Sequence, residues 1–153
     1  MTLEELKSAP ATGWFPGHML KAGRKMQEAL KLVDLLVELV DARAPLASRN
    51  YELLQKLEGK PSLILANKAD LASVQDSENW KKYFASRDER IFFLNSQRIA
   101  GVRDLVQVWR DIAFEETSKS GRRKFLSRPV RLMILGVPNI GKSTLVNSLV
   151  EKK

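Results

Sequence analysis

Eight residues, Gly136-Val137-Pro138-Asn139-Ile140-Gly141-Lys142-Ser143, constrain this chain more than any other feature. They fit the pattern G-x-x-x-x-G-K-[ST], in which a strand feeds a tight loop and the loop opens a helix. Glycine lets the backbone curl so that successive N–H groups converge as an anion nest. The helix beginning near Lys142 adds the positive end of its dipole. Lys142 is expected to reach the β- and γ-phosphates of a nucleotide, and the Ser143 hydroxyl to ligate Mg²⁺. Asn139, Ile140, Gly141, Lys142, Ser143 and Thr144 form the candidate phosphate-binding set. The competing view is a glycine-rich turn that binds nothing. The apolar stretch 130–135 before the loop and the helical pattern 142–150 after it favour phosphate.

The rest of the chain alternates in the same way. Met19, Ala22, Met26, Ala29, Leu30 and Val33 recur at spacings of three and four, the mark of an amphipathic helix. Val33, Leu35, Val37 and Leu39 then alternate with a more polar set, predicting a strand that ends at Asp41. A loop with Pro45 and a short helix near 50–57 follow. Further strands are expected at 62–66, 91–94 and 130–135, with helices at 76–86, 102–116 and 142–150. The polar, basic stretch 117–128 reads as a linker, and residues 1–12 as a flexible N-terminus. Strands separated by helices imply a mostly parallel sheet covered on both faces, with ligands beyond the carboxyl ends of the strands.

A second motif falls at such an end. Asn67-Lys68-Ala69-Asp70 follows the strand at 62–66 directly. The Asp70 carboxylate can accept two hydrogen bonds from guanine, at N1–H and the exocyclic amine. Adenine offers an acceptor at N1 and no amine at C2, and would leave the carboxylate unpaired. A charge-assisted bond contributes about 1.5–3 kcal/mol, which suffices for discrimination. Lys68 can lay its aliphatic stem on the base, and Asn67 can tie the loop to its neighbours. The alternative is an ordinary turn using Asn and Asp. Asn95-Ser96-Gln97 ends the next strand and could supply a backbone N–H to the guanine oxygen.

Composition narrows the field. The 153 residues contain no cysteine and one histidine, which excludes disulfides, thiolate metal sites and multi-histidine metal clusters. The apolar stretch 32–40, broken by Asp34 and Glu38, falls well short of the roughly 20 residues of a spanning helix. The N-terminus lacks an apolar signal core and carries Glu4 and Glu5, so the expected location is cytoplasmic. A net charge of +8 points weakly to a polyanionic partner.

The order of the motifs is the most specific feature. In Ras-like GTPases the phosphate loop precedes the base-reading loop, whereas here Asn67–Asp70 precedes Gly136–Ser143. This order resembles the circularly permuted GTPases, and among them the YlqF/RbgA type, the ribosome biogenesis GTPase A family. Trp14-Phe15-Pro16-Gly17-His18-Met19 and Asp41-Ala42-Arg43-Ala44-Pro45-Leu46-Ala47-Ser48-Arg49-Asn50 resemble that family's N-terminal signatures. Asn67, Lys68, Asp70, Asn95, Ser96 and the Pro138-Asn139 phosphate loop also match, so the resemblance covers nearly all of 13–153.

The resemblance implies a three-layer, Ras-like P-loop NTPase fold, circularly permuted, that uses GTP or GDP with Mg²⁺. Its implied partner is the precursor of the large ribosomal subunit, both rRNA and ribosomal proteins. Family members lack the glutamine that orients the attacking water in Ras, and His18 is the candidate catalytic substitute; capping of the following helix or a contact to RNA are its alternatives. The loop 41–50 is expected to hold itself against the nucleotide site. The family pattern continues beyond Lys153 with a switch threonine and D-x-P-G, so the chain reads as the front part of a longer protein, truncated before the switch regions. That reading implies similar affinity for GTP and GDP, very slow or absent hydrolysis, and a bare edge on the strand at 130–135. A different class of function, a basic RNA-binding module drawing on Lys21, Arg24, Lys25 and 117–128, stays open beside it. An ATP-binding protein is disfavoured by Asp70.

Overall fold

A computed structural model describes residues 28–51, 59–119 and 129–150. The chain divides into two units, Met1–Leu32 and Val33–Lys153, and the sheet and the sites below belong to the second. Its elements are β1 (Leu35–Asp41), β2 (Ser62–Asn67), a 3₁₀ turn (Ala69–Leu71), α1 (Val74–Ala85), β3 (Ile91–Leu94), α2 (Ile99–Lys119), β4 (Leu132–Leu135) and α3 (Lys142–Val150). Every strand expected from the sequence is present, and β1 ends at Asp41 as its pattern predicted. The expected linker is shortened, because α2 continues to Lys119. Residues 120–128, most of the helix expected at 50–57, His18 and the N-terminal signature at 14–19 lie outside the described residues.

The four strands form one all-parallel sheet in the order β3-β2-β1-β4. Register brings Asp41 beside Asn67 and Glu38 beside Leu135. The carboxyl ends of β2, β1 and β4 are therefore neighbours, although β2 and β4 are far apart in sequence. One face of the sheet carries Leu35, Val37, Leu39, Leu63, Leu65 and Leu94, packed against Leu105, Trp109 and Ile112 of α2 and Leu145 of α3. The other face carries Val40, Ile64 and Ala66 against Phe84 of α1. Burial on both faces is the condition under which a parallel sheet is stable.

That second face corrects the reading of β1 as one apolar and one polar side. Leu36, Glu38 and Val40 are buried like their neighbours. Glu38 tolerates burial because Arg49, from the loop after β1, donates to its Oε2 from Nε at 3.0 Å and forms an ion pair with it, Nη2 also lying at 3.0 Å. The same guanidinium reaches Glu89 at 2.7 Å and lies over the Phe84 ring. Local signals start α1. The Ser73 hydroxyl oxygen accepts from the Asp76 N–H at 3.0 Å, capping a free helix donor.

Candidate functional site

The phosphate loop leaves β4 at Gly136, which lies so close to β1 that a Cβ there would stand 2.6 Å from the Leu39 carbonyl oxygen. Asn139 takes a left-handed backbone with φ of 59°, a conformation that asparagine tolerates better than most residues. Gly141 has φ of +106°, and a Cβ on it would collide with the Asn67 side-chain amide. Glycine at 141 thus answers two demands, one of backbone conformation and one of space. The Lys142 ammonium donates to the carbonyls of Gly136 at 2.9 Å and Val137 at 2.8 Å, so it spans the loop. Ser143 and Thr144 are exposed in the first turn of α3. Ile140 differs from its neighbours, because its side chain is buried in the core and it can meet a phosphate only through its backbone.

Asn67 joins the motifs. Its Nδ2 donates to the Ile140 carbonyl at 2.9 Å, and its Oδ1 accepts from the Ser96 N–H at 3.0 Å. With 2% exposure it is buried, and both polar ends of its amide are satisfied. The third loop is fastened again from α3, where the Ser148 hydroxyl donates to the Ser96 carbonyl at 2.7 Å. Within the 95–97 loop the Ser96 N–H donates to Asn67 and the Gln97 N–H to the Asn95 side chain at 2.9 Å. The loop thereby supports Asn67.

The remaining two residues of the base-reading motif take no part in this joint. Lys68 is left-handed, with φ of 60° and ψ of 38°, and leads into the 3₁₀ turn that carries Asp70. Asp70 is exposed, and among the described residues no hydrogen bond or ion pair engages its carboxylate.

Sequence reasoning left the segment 41–50 with only a scaffolding role, yet Asp41, at the carboxyl end of β1, reaches the site. Asp41 accepts from Lys68 Nζ at 3.2 Å and takes a paired contact from Arg43, Nε at 2.9 Å and Nη2 at 2.7 Å. Chiefly through Arg43, and further through Lys68, the Asp41 carboxyl is held well below the usual carboxylate range. The available signal was an acid two residues before an arginine at a strand's carboxyl end. Only the register, Asp41 beside Asn67, shows which lysine it serves.

Among the described residues there is no cluster of three or more acidic, histidine or cysteine side chains suited to a metal. Ser143 alone fits a cation that takes its other ligands from phosphates and water, which is the habit of Mg²⁺. No helix among the described residues is long and apolar enough to cross a membrane.

No family model matches the chain. Individual proteins do. Ribosome biogenesis GTPase A of Bacillus cereus is 40% identical over 139 residues, covering 91% of this chain and 47% of that protein. Mitochondrial ribosome-associated GTPase 1 of Bos taurus is 33% identical over 147 residues, covering 94% of this chain and 43% of that protein. Among solved structures, GNP-bound YlqF from T. maritima superposes with a TM-score of 0.58 at 30% identity, over 87% of this chain and 49% of that one. The chain spans about half the length of the curated relatives it matches. The likeness in sequence and the likeness in fold agree, and the chain belongs to the circularly permuted GTPases of the YlqF type, the ribosome biogenesis GTPase A family.

Proposed function

We propose that the chain binds guanine nucleotides with Mg²⁺ where β2, β1 and β4 end, and that it serves as the nucleotide-binding part of a GTPase acting in assembly of the large ribosomal subunit. The observation that carries this reading is the Asn67 amide, which ties phosphate loop and base loop into one unit. A glycine-rich turn without a ligand would need no such strut. The backbone N–H groups of 139–143 and the Lys142 ammonium would hold the phosphates. Mg²⁺ would bridge phosphate oxygens and the Ser143 hydroxyl, neutralising charge there. The exposed Asp70 carboxylate would select guanine, with the Lys68 stem against the ring.

The ribosomal role rests on the names of the relatives. Hydrolysis is a separate proposal, with His18 as the candidate that orients water. The basic stretches behind the RNA-module alternative lie outside the described residues, apart from Thr117–Lys119, so no structural observation favours that reading.

Displacement of fluorescent GDP from the purified chain tests the binding proposal. GDP and GTP should both displace the probe in the presence of Mg²⁺, and ATP should do so at least a hundredfold more weakly, about 2.7 kcal/mol of discrimination. Equal displacement by ATP removes the guanine assignment. No binding by a folded chain removes the nucleotide altogether.

A further inference from the structure

We infer that Asp41 is a positioning residue for the base-reading loop, holding the Lys68 side chain in the place where it can lie along a purine. The inference rests on the guanine-nucleotide reading above. It comes from the way the Asp41 carboxylate is built. Oδ1 accepts from the Arg43 backbone N–H at 3.1 Å and from Arg43 Nε at 2.9 Å. Oδ2 accepts from Arg43 Nη2 at 2.7 Å and from Lys68 Nζ at 3.2 Å. Three donors come from one neighbour two residues away, and the fourth comes from the next strand's loop. Arg43 is 53% exposed, so its fork over the carboxylate adds little to overall stability. What it does is fix the carboxylate's orientation, because paired guanidinium–carboxylate bonds are directional.

The backbone beneath is equally constrained. The Asp41 N–H donates to the Ser48 hydroxyl at 2.9 Å, and that hydroxyl donates to the Ala44 carbonyl at 2.9 Å, closing the loop on itself. The Ala42 N–H donates to the Asn67 carbonyl at 2.8 Å, locking the end of β1 to the end of β2. The carboxylate is thus a fixed post beside a lysine whose own backbone is left-handed. A free lysine side chain samples many rotamers, and binding has to order them. Anchoring its ammonium leaves the four-carbon stem extended before a ligand arrives, and this preorganisation appears as affinity. Lys68 is a third exposed, which suits a stem that presents one side to a ligand.

The test is a double-mutant cycle on the full chain, read as affinity for fluorescent GDP. Asp41→Ala is expected to weaken binding about three- to tenfold, the worth of one immobilised long side chain. Lys68→Met should weaken it comparably. In the Lys68→Met background, Asp41→Ala should add less than twofold, because the group it positions is gone. Competition by inorganic pyrophosphate, which engages only the phosphate loop, should be unchanged by Asp41→Ala. Should Asp41→Ala unfold the chain, Asp41→Asn keeps the shape and should show an intermediate loss confined to GDP. Losses that multiply undiminished in the double variant, or that fall equally on pyrophosphate, overturn the positioning role and leave nucleotide binding standing. A folded wild-type chain that binds no guanine nucleotide overturns both.

Discussion

The Asn67 side-chain amide donates to the Ile140 carbonyl at 2.9 Å, across 73 positions of sequence. That bond, with the return bond from the Ser96 N–H, makes a single buried side chain the joint between the two nucleotide-facing loops. Asn67→Ala strands a buried N–H and a buried carbonyl. Each unsatisfied group costs about 1–3 kcal/mol, so the variant should lose roughly 2–6 kcal/mol of stability by urea denaturation. Asn67→Asp keeps the acceptor facing Ser96 but turns an oxygen toward the Ile140 carbonyl, and should bind GDP no better than Asn67→Ala.

Gly141→Ala should be the most damaging single methyl in the chain. The left-handed backbone and the collision with the Asn67 amide act together. Strain of this kind costs about 1–3 kcal/mol. Relief requires Asn67 to swing away, which separates the loops. The expected outcome is loss of measurable GDP binding, with a lowered melting temperature, in the same displacement and thermal assays.

Arg49→Leu tests the buried pair beneath the sheet. Burial pushes the Glu38 carboxyl above its ordinary value, against the pull of Arg49. A carboxyl that is more basic folded than unfolded favours folding most below its unfolded value, near ~4.3, and that contribution is lost as pH rises through the folded value. Removing Arg49 raises the folded value further, so the lost range extends toward neutrality. The variant should be less stable by about 3 kcal/mol at neutral pH, as expected for an uncompensated buried charge. The deficit should narrow at mildly acidic pH as Glu38 takes up a proton. A deficit independent of pH would mean that Arg49 acts through its packing on Phe84. Asp41, whose carboxyl is shifted the opposite way, is common to both chains and cancels in the difference.

Asp70→Asn should exchange one base preference for another. An amide can donate to a carbonyl at C2 of the purine, where the carboxylate required an amine. GDP affinity should fall at least tenfold, about 1.4 kcal/mol, and xanthosine diphosphate should gain relative to it. Equal loss for both nucleotides would show that Asp70 shapes the 3₁₀ turn instead of touching the base.

Much of the fold was legible because its signals are local. The apolar runs at 62–66, 91–94 and 130–135 mark strands whichever partners they find. The phosphate and base loops were legible because their residue types recur at fixed short spacings, although the space that Gly141 leaves is taken by Asn67 from the other loop. The burial of Glu38, one of the more polar set of its strand, was not legible because its partner, Arg49, is 11 residues away. Burial of a charge is decided by what folds over it.

By itself the sequence determined which residues could meet phosphate and base, and it determined their reversed order along the chain. Only the tertiary structure decided what holds them in place. The placement of β1 between β2 and β4 puts Asn67 against Ile140, sets Asp41 beside Lys68 and turns the Ser96 N–H inward. The reason is physical. A hydrogen bond between distant segments has no periodicity to betray it, and its partners become neighbours only when strand register carries both to the same end of the sheet.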